Sequence, residues 1–337
     1  MNHYQSHHML VTGGAGFIGS NFIRYVLMHE PTIKIINIDK LTYAGSLTNL
    51  KNLDSPNRYH FCQGDIIDSN LVHQILRNYS IDTIVHFAAE SHVDRSITEP
   101  NSFVETNLLG TFTLLEAARQ QWFTVENRSM TQCRFHHIST DEVYGSLKSA
   151  DKPFNEQTTY QPRSPYSATK AGSDHLVFAY YHTYGLPITL SHCSNNYGPR
   201  QHAEKFIPTI IHSCLAKQTI PIYGNGKNIR DWLYVDDHCS GILAILKNGK
   251  IGETYNMGGD NEWENITLAQ YICEQMEKHV PNKIAYQALL NYVTDRPGHD
   301  FRYAIDSHKI KTELNWLPLV SMEAGINKTI EYYSQSR

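Results

Sequence analysis

A short apolar run, Met9-Leu10-Val11, passes into Thr12-Gly13-Gly14-Ala15-Gly16-Phe17-Ile18-Gly19-Ser20 and then into a segment with apolar residues at Ile18, Phe22, Ile23, Val26 and Leu27. The first run reads as a strand and the last, by its spacing of three and four, as a helix. The glycines fall at Gly13, Gly16 and Gly19, a G-x-x-G-x-x-G pattern where the dinucleotide fingerprint has G-x-G-x-x-G. Their physical purpose is the same. They allow a tight turn, bring backbone N–H groups close to a pyrophosphate, and put a helix N-terminus where it favours negative charge. A glycine loop by itself can also be a turn with no ligand. The continuation sharpens the case: residues 33–38 read as a second strand ending at Asp39, and 39 − 19 = 20 residues separate that carboxylate from the last glycine. A carboxylate there can accept both ribose hydroxyls of an adenosine and repels a 2′-phosphate, which favours NAD over NADP.

Strand-like and helical segments then alternate. Residues 59–62 and 83–87 read as strands, 71–79 as the helix between them, 107–121 as an amphipathic helix, 135–139 as a fifth strand, 166–184 as a helix rich in aromatic residues, and 188–192 as another strand. This order calls for a doubly wound parallel sheet of Rossmann type, an α/β fold, with ligands at the carboxyl ends of its strands. Gly64-Asp65-Ile66 follows one strand, where a loop could hold an adenine ring or simply cap the strand, and the small Ala88-Ala89 pair follows the next. Beyond about residue 190 the sequence becomes loop-rich. The expected division is a Rossmann domain over 1–190 and a smaller lobe over 191–337 that binds substrate and returns some segments to the first domain. Residues 148–165, with three prolines, read as a long loop covering the site. Residues 221–232 read as a hairpin turning at Asn225-Gly226, where Arg230 is either a solvated charge or a ligand group.

The bulk properties exclude several classes. With 337 residues, 41% hydrophobic and 18% charged, the chain holds a substantial core, and its formal charge of −4 with mixed signs leaves no footprint for nucleic acid. No apolar run reaches membrane-spanning length, and the polar, histidine-rich residues 1–8 lack a signal-peptide core and read as an extension. Six scattered cysteines without a C-x-x-C pair favour reduced thiols in a cytoplasmic protein. None of the 19 histidines shows a metal-ligand spacing, so no metal is expected.

The chemistry concentrates in residues 134–170. Thr140-Asp141-Glu142 follows the fifth strand, and Tyr166 precedes Lys170 by one helical turn, on one face. A free tyrosine titrates near 10, so a phenolate base at neutral pH requires a shift of about three units, roughly 4 kcal/mol, and a neighbouring ammonium acts in that direction.

Taken together, these motifs resemble the extended short-chain dehydrogenase/reductase family, on its branch of nucleotide-sugar 4,6-dehydratases, over nearly the whole chain from Leu10 to about Tyr333. Tyr166-x-x-x-Lys170 and the glycine loop mark the superfamily. More discriminating are residues 88–96, 140–145, 195–199, 230–235 and 295–300. The resemblance implies a lyase that converts dTDP-glucose to dTDP-4-keto-6-deoxyglucose and water with resident NAD, in deoxysugar biosynthesis of the dTDP-rhamnose type. A 4-epimerase or a dehydratase for another nucleotide sugar is the alternative. It further implies that Tyr166, lowered in pKa by Lys170 and the nicotinamide charge, takes the proton of the sugar 4-hydroxyl while Thr140 hydrogen-bonds it. Glu142 then removes the proton at carbon 5, and Asp141 protonates the departing 6-hydroxyl. Cofactor contacts implied are Gly13, Gly16, Phe17, Ile18, Gly19, Asp39, Lys40, Leu41, Thr42, Asp65, Ile66, Phe87, Ala88, Ala89, Ser91, Thr106, Asn196, Tyr166 and Lys170. Substrate contacts implied are Ser91, Thr140, Asn195, Lys205, Phe206, Pro221, Ile222, Tyr223, Arg230, Asn265, Asp295, Arg296 and His299. Helices 107–121 and 166–184 would form a homodimer contact, and thymine-over-uracil selectivity rests on the resemblance alone.

Overall fold

The computed structural model describes residues 4–295 and 298–335. Its strands are β1 (His8–Thr12), β2 (Lys34–Asp39), β3 (Tyr59–Gln63), β4 (Thr83–His86), β5 (Arg134–Thr140), β6 (Ile188–Cys193), β7 (Asn195–Tyr197), β8 (Ile220–Tyr223), β9 (Ile229–Tyr234), β10 (Thr254–Met257), β11 (Glu262–Glu264) and β12 (Leu290–Val293). Seven of them form one sheet in the order β10-β6-β5-β4-β1-β2-β3, and every neighbouring pair is parallel. The doubly wound sheet expected from the alternation is therefore present. β1 sits between β2 and β4, so the chain winds outward from it in both directions. The crevice at that switch point opens over the carboxyl ends of β1 and β4, where such sheets take ligands.

Apart from the edge strand β3, the strands of this sheet are buried on both faces, which is why β1, β2 and β4 read as mainly apolar runs rather than alternating ones. Beneath one face, Phe22, Val26 and Leu27 of the helix Phe17–His29 pack with Ile242, Ile245 and Leu246 of the helix Val235–Asn248. On the other face, Leu114, Ala118 and Trp122 pack with Val177 and Tyr180. Thus β10 and the helix before it, though late in the sequence, complete the nucleotide-binding sheet. A separate core of Ile207, Ile211, Leu268, Ile272 and Ile326 holds the last third of the chain together.

Several expectations change. The segment 107–121 is part of one helical run from Pro100 through Val125, with π-type stretches at Val104–Gly110 and Gln120–Val125; burial of Phe103 and Trp122 anchors its two ends. The hairpin is absent. Gly226 N–H does close a turn on the Tyr223 carbonyl, but β8 pairs in parallel with β12 while β9 pairs with β11 and β7. The turn chemistry was local; the strand partners come from residues far along the chain. Residues 148–165 do not lie loosely over the site, because bridges from Leu147 to Arg302 and from Phe154 to Ile305 tie them to the last third, and Phe154 stacks on Tyr144. Nor do residues 4–8 hang free: the Tyr4 hydroxyl donates to the Asp82 carbonyl at 2.9 Å, and the His7 and His8 N–H groups donate to Asp82 Oδ2 at 2.9 and 3.0 Å. All six cysteines are free thiols.

Candidate active site

The glycine loop turns at Gly13, whose φ of +68° lies in the left-handed region, and a Cβ placed there would come within 2.7 Å of the Ala88 Cα and N. At Gly19 a Cβ would come within 2.5 Å of the Gly13 carbonyl oxygen. Side chains at these positions would fill the floor of the crevice, which instead exposes backbone. The helix Phe17–His29 begins here with no side-chain cap, so its first N–H groups point toward the crevice as an anion site. Asp39, at the end of β2, accepts from the Ala15 N–H (2.8 Å) and the Leu41 N–H (2.8 Å), one to each oxygen. Burial raises its pKa while those two hydrogen bonds oppose the rise. Each oxygen retains a lone pair for a diol. Lys40 pairs with Asp65 at 2.6 Å and so bridges the ends of β2 and β3. An open backbone floor, a helix N-terminus and a fixed carboxylate fit NAD, whose pyrophosphate and adenosine ribose need these three things.

One continuous cleft is lined by Gly13, Gly16, Phe17, Ile18, Gly19, Asp39, Lys40, Thr42, Asp65, Ile66, Phe87, Ala88, Ala89, Ser91, Thr106, Thr140, Asp141, Glu142, Tyr166, Lys170, Asn195, Asn196 and Lys205. Of the implied cofactor contacts only Leu41 lies off it, and that residue serves through the backbone bond to Asp39.

The proton-transfer groups meet at the end of β5. Thr140 caps the turn Asp141–Tyr144: its Oγ1 accepts from the Glu142 N–H at 3.3 Å and donates to Asp141 Oδ1 at 3.4 Å. Asp141 is 2% exposed, and among the described residues its Oδ2 has no hydrogen-bond partner. Burial, then the Glu142 and Asp231 charges, raises its pKa well above the usual carboxylate range. Tyr166 opens the helix Pro165–Tyr184, whose start is set by a capping box between Ser164 and Ser167. One turn on, Lys170 is buried and its ammonium donates to the Ile138 carbonyl at 2.7 Å.

The expected lowering of Tyr166 is not found in the protein's own geometry. Burial raises its pKa above the ordinary tyrosine value, with the Glu142 and Cys193 charges adding and the Thr140 hydrogen bond opposing. Lys170 is committed to Ile138, and burial lowers its own pKa.

The remaining implied substrate residues gather at a second cluster. Arg230 is buried rather than solvated, donating to the Asp300 carbonyl (2.9 Å) and the Ile229 carbonyl (2.7 Å) with its guanidinium 4.3 Å from the Tyr303 ring centre. Arg230 is close enough to Asp141 to lower its pKa, and Glu142 close enough to Tyr303 to raise that of the phenol, which joins this cluster to the Asp141–Glu142 end of the cleft. His299 Nδ1 is 2.7 Å from Asp295 Oδ1, its ring meets Tyr223 edge-on at 6.4 Å, and the Asn265 N–H donates to the Asn228 carbonyl. Pro221 stands beside Ile222, whose side chain turns into the C-terminal core; Phe206 stacks on Trp232 at 6.2 Å, and Lys205 Nζ donates to the Ser91 carbonyl at 3.3 Å. Arg296 lies outside the described residues. Sequence reasoning missed Tyr43, Cys193 and Gln201 in the cleft and Tyr303 beside Arg230, and gave no individual role to Glu90, His92 and Ser194, which lie in runs at strand ends. Cys193 and Ser194 had a signal, since the first ends β6 and the second directly follows it; Tyr303 had none. No group of metal-ligating side chains occurs among the described residues.

The family model described as GDP-mannose 4,6 dehydratase matches residues 10–329. The dTDP-glucose 4,6-dehydratase of Salmonella typhimurium is 50% identical over 333 residues, covering 96% of this chain and 92% of the relative, and that of Haemophilus influenzae is 48% identical over 329 residues, covering 96% and 97%. Among solved structures, the dTDP-glucose 4,6-dehydratase of Streptomyces venezuelae with NAD bound is 43% identical with a TM-score of 0.89, covering 98% of both chains. The UDP-glucose 4-epimerase of Thermotoga maritima is 26% identical with a TM-score of 0.84, covering 98% of this chain and 99% of that one.

Proposed function

This chain belongs to the GDP-mannose 4,6 dehydratase family within the extended short-chain dehydrogenases/reductases, and from that premise we infer that it is an NAD-dependent hydro-lyase converting dTDP-glucose to dTDP-4-keto-6-deoxyglucose. The observation that carries the reading is the buried Asp141, its pKa raised by burial, adjoining Glu142 in the same cleft as Tyr166 and Lys170. A 4-epimerase needs only the tyrosine, the lysine and a hydroxyl. Loss of water needs an acid and a base as well, held side by side.

NAD would be held by the glycine loop, Asp39 and the ends of β4 and β6; when bound it would supply a hydride acceptor for carbon 4 and a hydride donor for carbon 6, and its positive charge would lie near Tyr166. Tyr166 accepts the proton of the 4-hydroxyl, and Thr140 orients that hydroxyl. Lys170 biases the phenol toward ionisation against the cost of burial. The ketone at carbon 4 acidifies carbon 5, where Glu142 removes the proton and later returns it. Asp141 gives its proton to the leaving 6-hydroxyl. Arg230, with two-pronged donors, holds the diphosphate, and Asn195, Lys205, Asn265, Asp295 and His299 hold the remainder of the nucleotide sugar.

Residues 1–190 carry the cofactor and 191–337 mainly the sugar nucleotide. Exposed Val104, Leu109, Phe112 and Tyr184 on the helical runs 100–125 and 165–184 form the homodimer face. Free thiols throughout suit a cytoplasmic enzyme feeding deoxysugar synthesis. No helix among the described residues is long and apolar enough to cross a membrane. The test is incubation of the purified protein with NAD and dTDP-glucose, followed by alkali-induced absorbance of a 4-keto-6-deoxy sugar. Recovery of unchanged dTDP-glucose, or of dTDP-galactose, removes the reading. A parallel titration with UDP-glucose measures base selectivity.

A further inference from the structure

One turn beyond Lys170, on the same helix, Asp174 is a fully buried carboxylate at the centre of a cluster that the reaction above does not use. Its Oδ2 accepts from the Ser139 hydroxyl at 2.8 Å and the Tyr160 hydroxyl at 3.1 Å and lies 3.2 Å from His192 Nε2. Its Oδ1 lies 3.3 Å from His137 Nε2, which is in turn 3.4 Å from Lys170 Nζ. The proton positions can be read outward from Asn256. Its amide N–H donates to the Phe154 carbonyl, so its Oδ1 takes the Tyr144 O–H at 2.9 Å. The Tyr144 oxygen is left to accept, which makes His192 Nδ1, 3.0 Å away, the donor. The Tyr160 hydroxyl, 2.8 Å from His192 Nε2 and 3.1 Å from Asp174 Oδ2, stands between the ring and the carboxylate.

We propose that Asp174 is a positioning residue for proton transfer at Tyr166: braced by Ser139, Tyr160, His137 and His192, its carboxylate is the counter-ion that keeps the buried Lys170 ammonium protonated and seated on the Ile138 carbonyl. The proposal rests on the reading of Tyr166 as the base. An ammonium out of water gives up its proton unless a negative charge offsets the loss of solvation. Burial does lower the Lys170 pKa, and Asp174 is the foremost influence opposing it. Burial would raise Asp174 itself, but the hydrogen bonds from His137 and His192 outweigh that and hold it below the carboxylate range. His137, lowered to about 4 by burial and then by Lys170, is neutral and passes no charge of its own. The ionisable groups facing this pair are His137 from β5, His192 and Cys193 from β6 and Tyr160 from the preceding loop, with Tyr144 behind His192 and His86 5.2 Å from His137 across the sheet.

Asp174→Asn removes the charge while keeping the size. At neutral pH its turnover of dTDP-glucose is expected to fall about tenfold or more, with the acid limb of the kcat profile moving up by about one pH unit and activity recovering as pH rises. The sign is diagnostic. Loss of the Asp174 charge by itself eases ionisation of Tyr166, so a limb that moves down, or stays, means that Lys170 kept its proton and overturns the proposal. A second measurement needs no turnover: thermal unfolding of Asp174→Asn, Lys170→Met and the double variant. The double variant should lose less than the two single losses together, because each charge is stabilised by the other and the second change forfeits nothing that the first has not already removed. Strict additivity counts against the pair. If Asp174→Asn does not fold by itself, a folded double variant supports the pairing and an unfolded one refutes it. Should the unaltered protein fail to dehydrate dTDP-glucose, the functional reading falls alone, and the thermal comparison still decides the ion pair.

Discussion

Gly13→Ala tests the floor of the cofactor crevice, and Gly185→Ala provides its control. Both glycines sit in the left-handed region, with φ of +68° and +70°. For a residue with a Cβ that conformation costs about 1–2 kcal/mol. At Gly185, which ends the helix Pro165–Tyr184, the new Cβ would meet only Met130 Sδ at 3.8 Å, an ordinary contact, so strain is the whole cost. At Gly13 it would meet Ala88 Cα and N at 2.7 Å, and both are backbone atoms at the end of β4 that cannot rotate aside. Overpacking of that kind adds about 1–3 kcal/mol, for a total of about 2–5 kcal/mol. An unfolding entropy of about 2.1 cal/mol/K per residue gives ~0.7 kcal/mol/K for a chain of this length, so Tm should fall by about 3–7 °C for Gly13→Ala and about 1–3 °C for Gly185→Ala. NAD binding, followed by quenching of intrinsic fluorescence, should weaken by at least about tenfold in the first variant, equivalent to about 1.4 kcal/mol, and be unchanged in the second. Equal Tm losses in the two variants, or unaltered NAD affinity in Gly13→Ala, would refute the close approach of β1 and β4 as the reason for glycine.

Two further outcomes follow from the site and the surface. Glu142→Gln should permit oxidation at carbon 4 but release no 4-keto-6-deoxy sugar, with turnover down by a factor on the order of 10²–10⁴, the usual contribution of a positioned base; full turnover would show the base to be misassigned. Changing Leu109 and Phe112 to Glu should convert the proposed dimer to a monomer in analytical ultracentrifugation while leaving Tm within a few degrees, since both side chains are more than two-fifths exposed in the single chain; an unchanged sedimentation coefficient argues against this interface.

Most of the cofactor half was legible before any coordinates. The strand, the Gly13–Gly19 loop and the helix follow from apolar period and from glycine's tolerance of positive φ, and Asp39 follows from strand length. Tyr166 and Lys170 share a face because a helical turn is 3.6 residues. The catalytic carboxylates were legible for a similar reason: they are adjacent in sequence and directly follow a strand. The C-terminal half was harder. Asn225-Gly226 does make a turn, yet β8 finds β12 and β9 finds β11 and β7, because backbone pairing depends on which distant strands arrive alongside. Arg230 gives no local sign of burial. Its setting is built by Asp300, Phe301 and Tyr303, about 70 residues later.

By itself, then, the amino-acid order determined most local conformations, the family of folds they permit and which residues are the candidates for proton transfer. Only the tertiary structure decided how those groups titrate. The pKa of Asp141 is raised, that of Tyr166 is driven up rather than down, and Lys170 is tied to Ile138 beside a buried carboxylate. The physical reason is range. Backbone preference acts over a few residues, whereas the free energy of a charge depends on every group packed around it and on the water that packing removes.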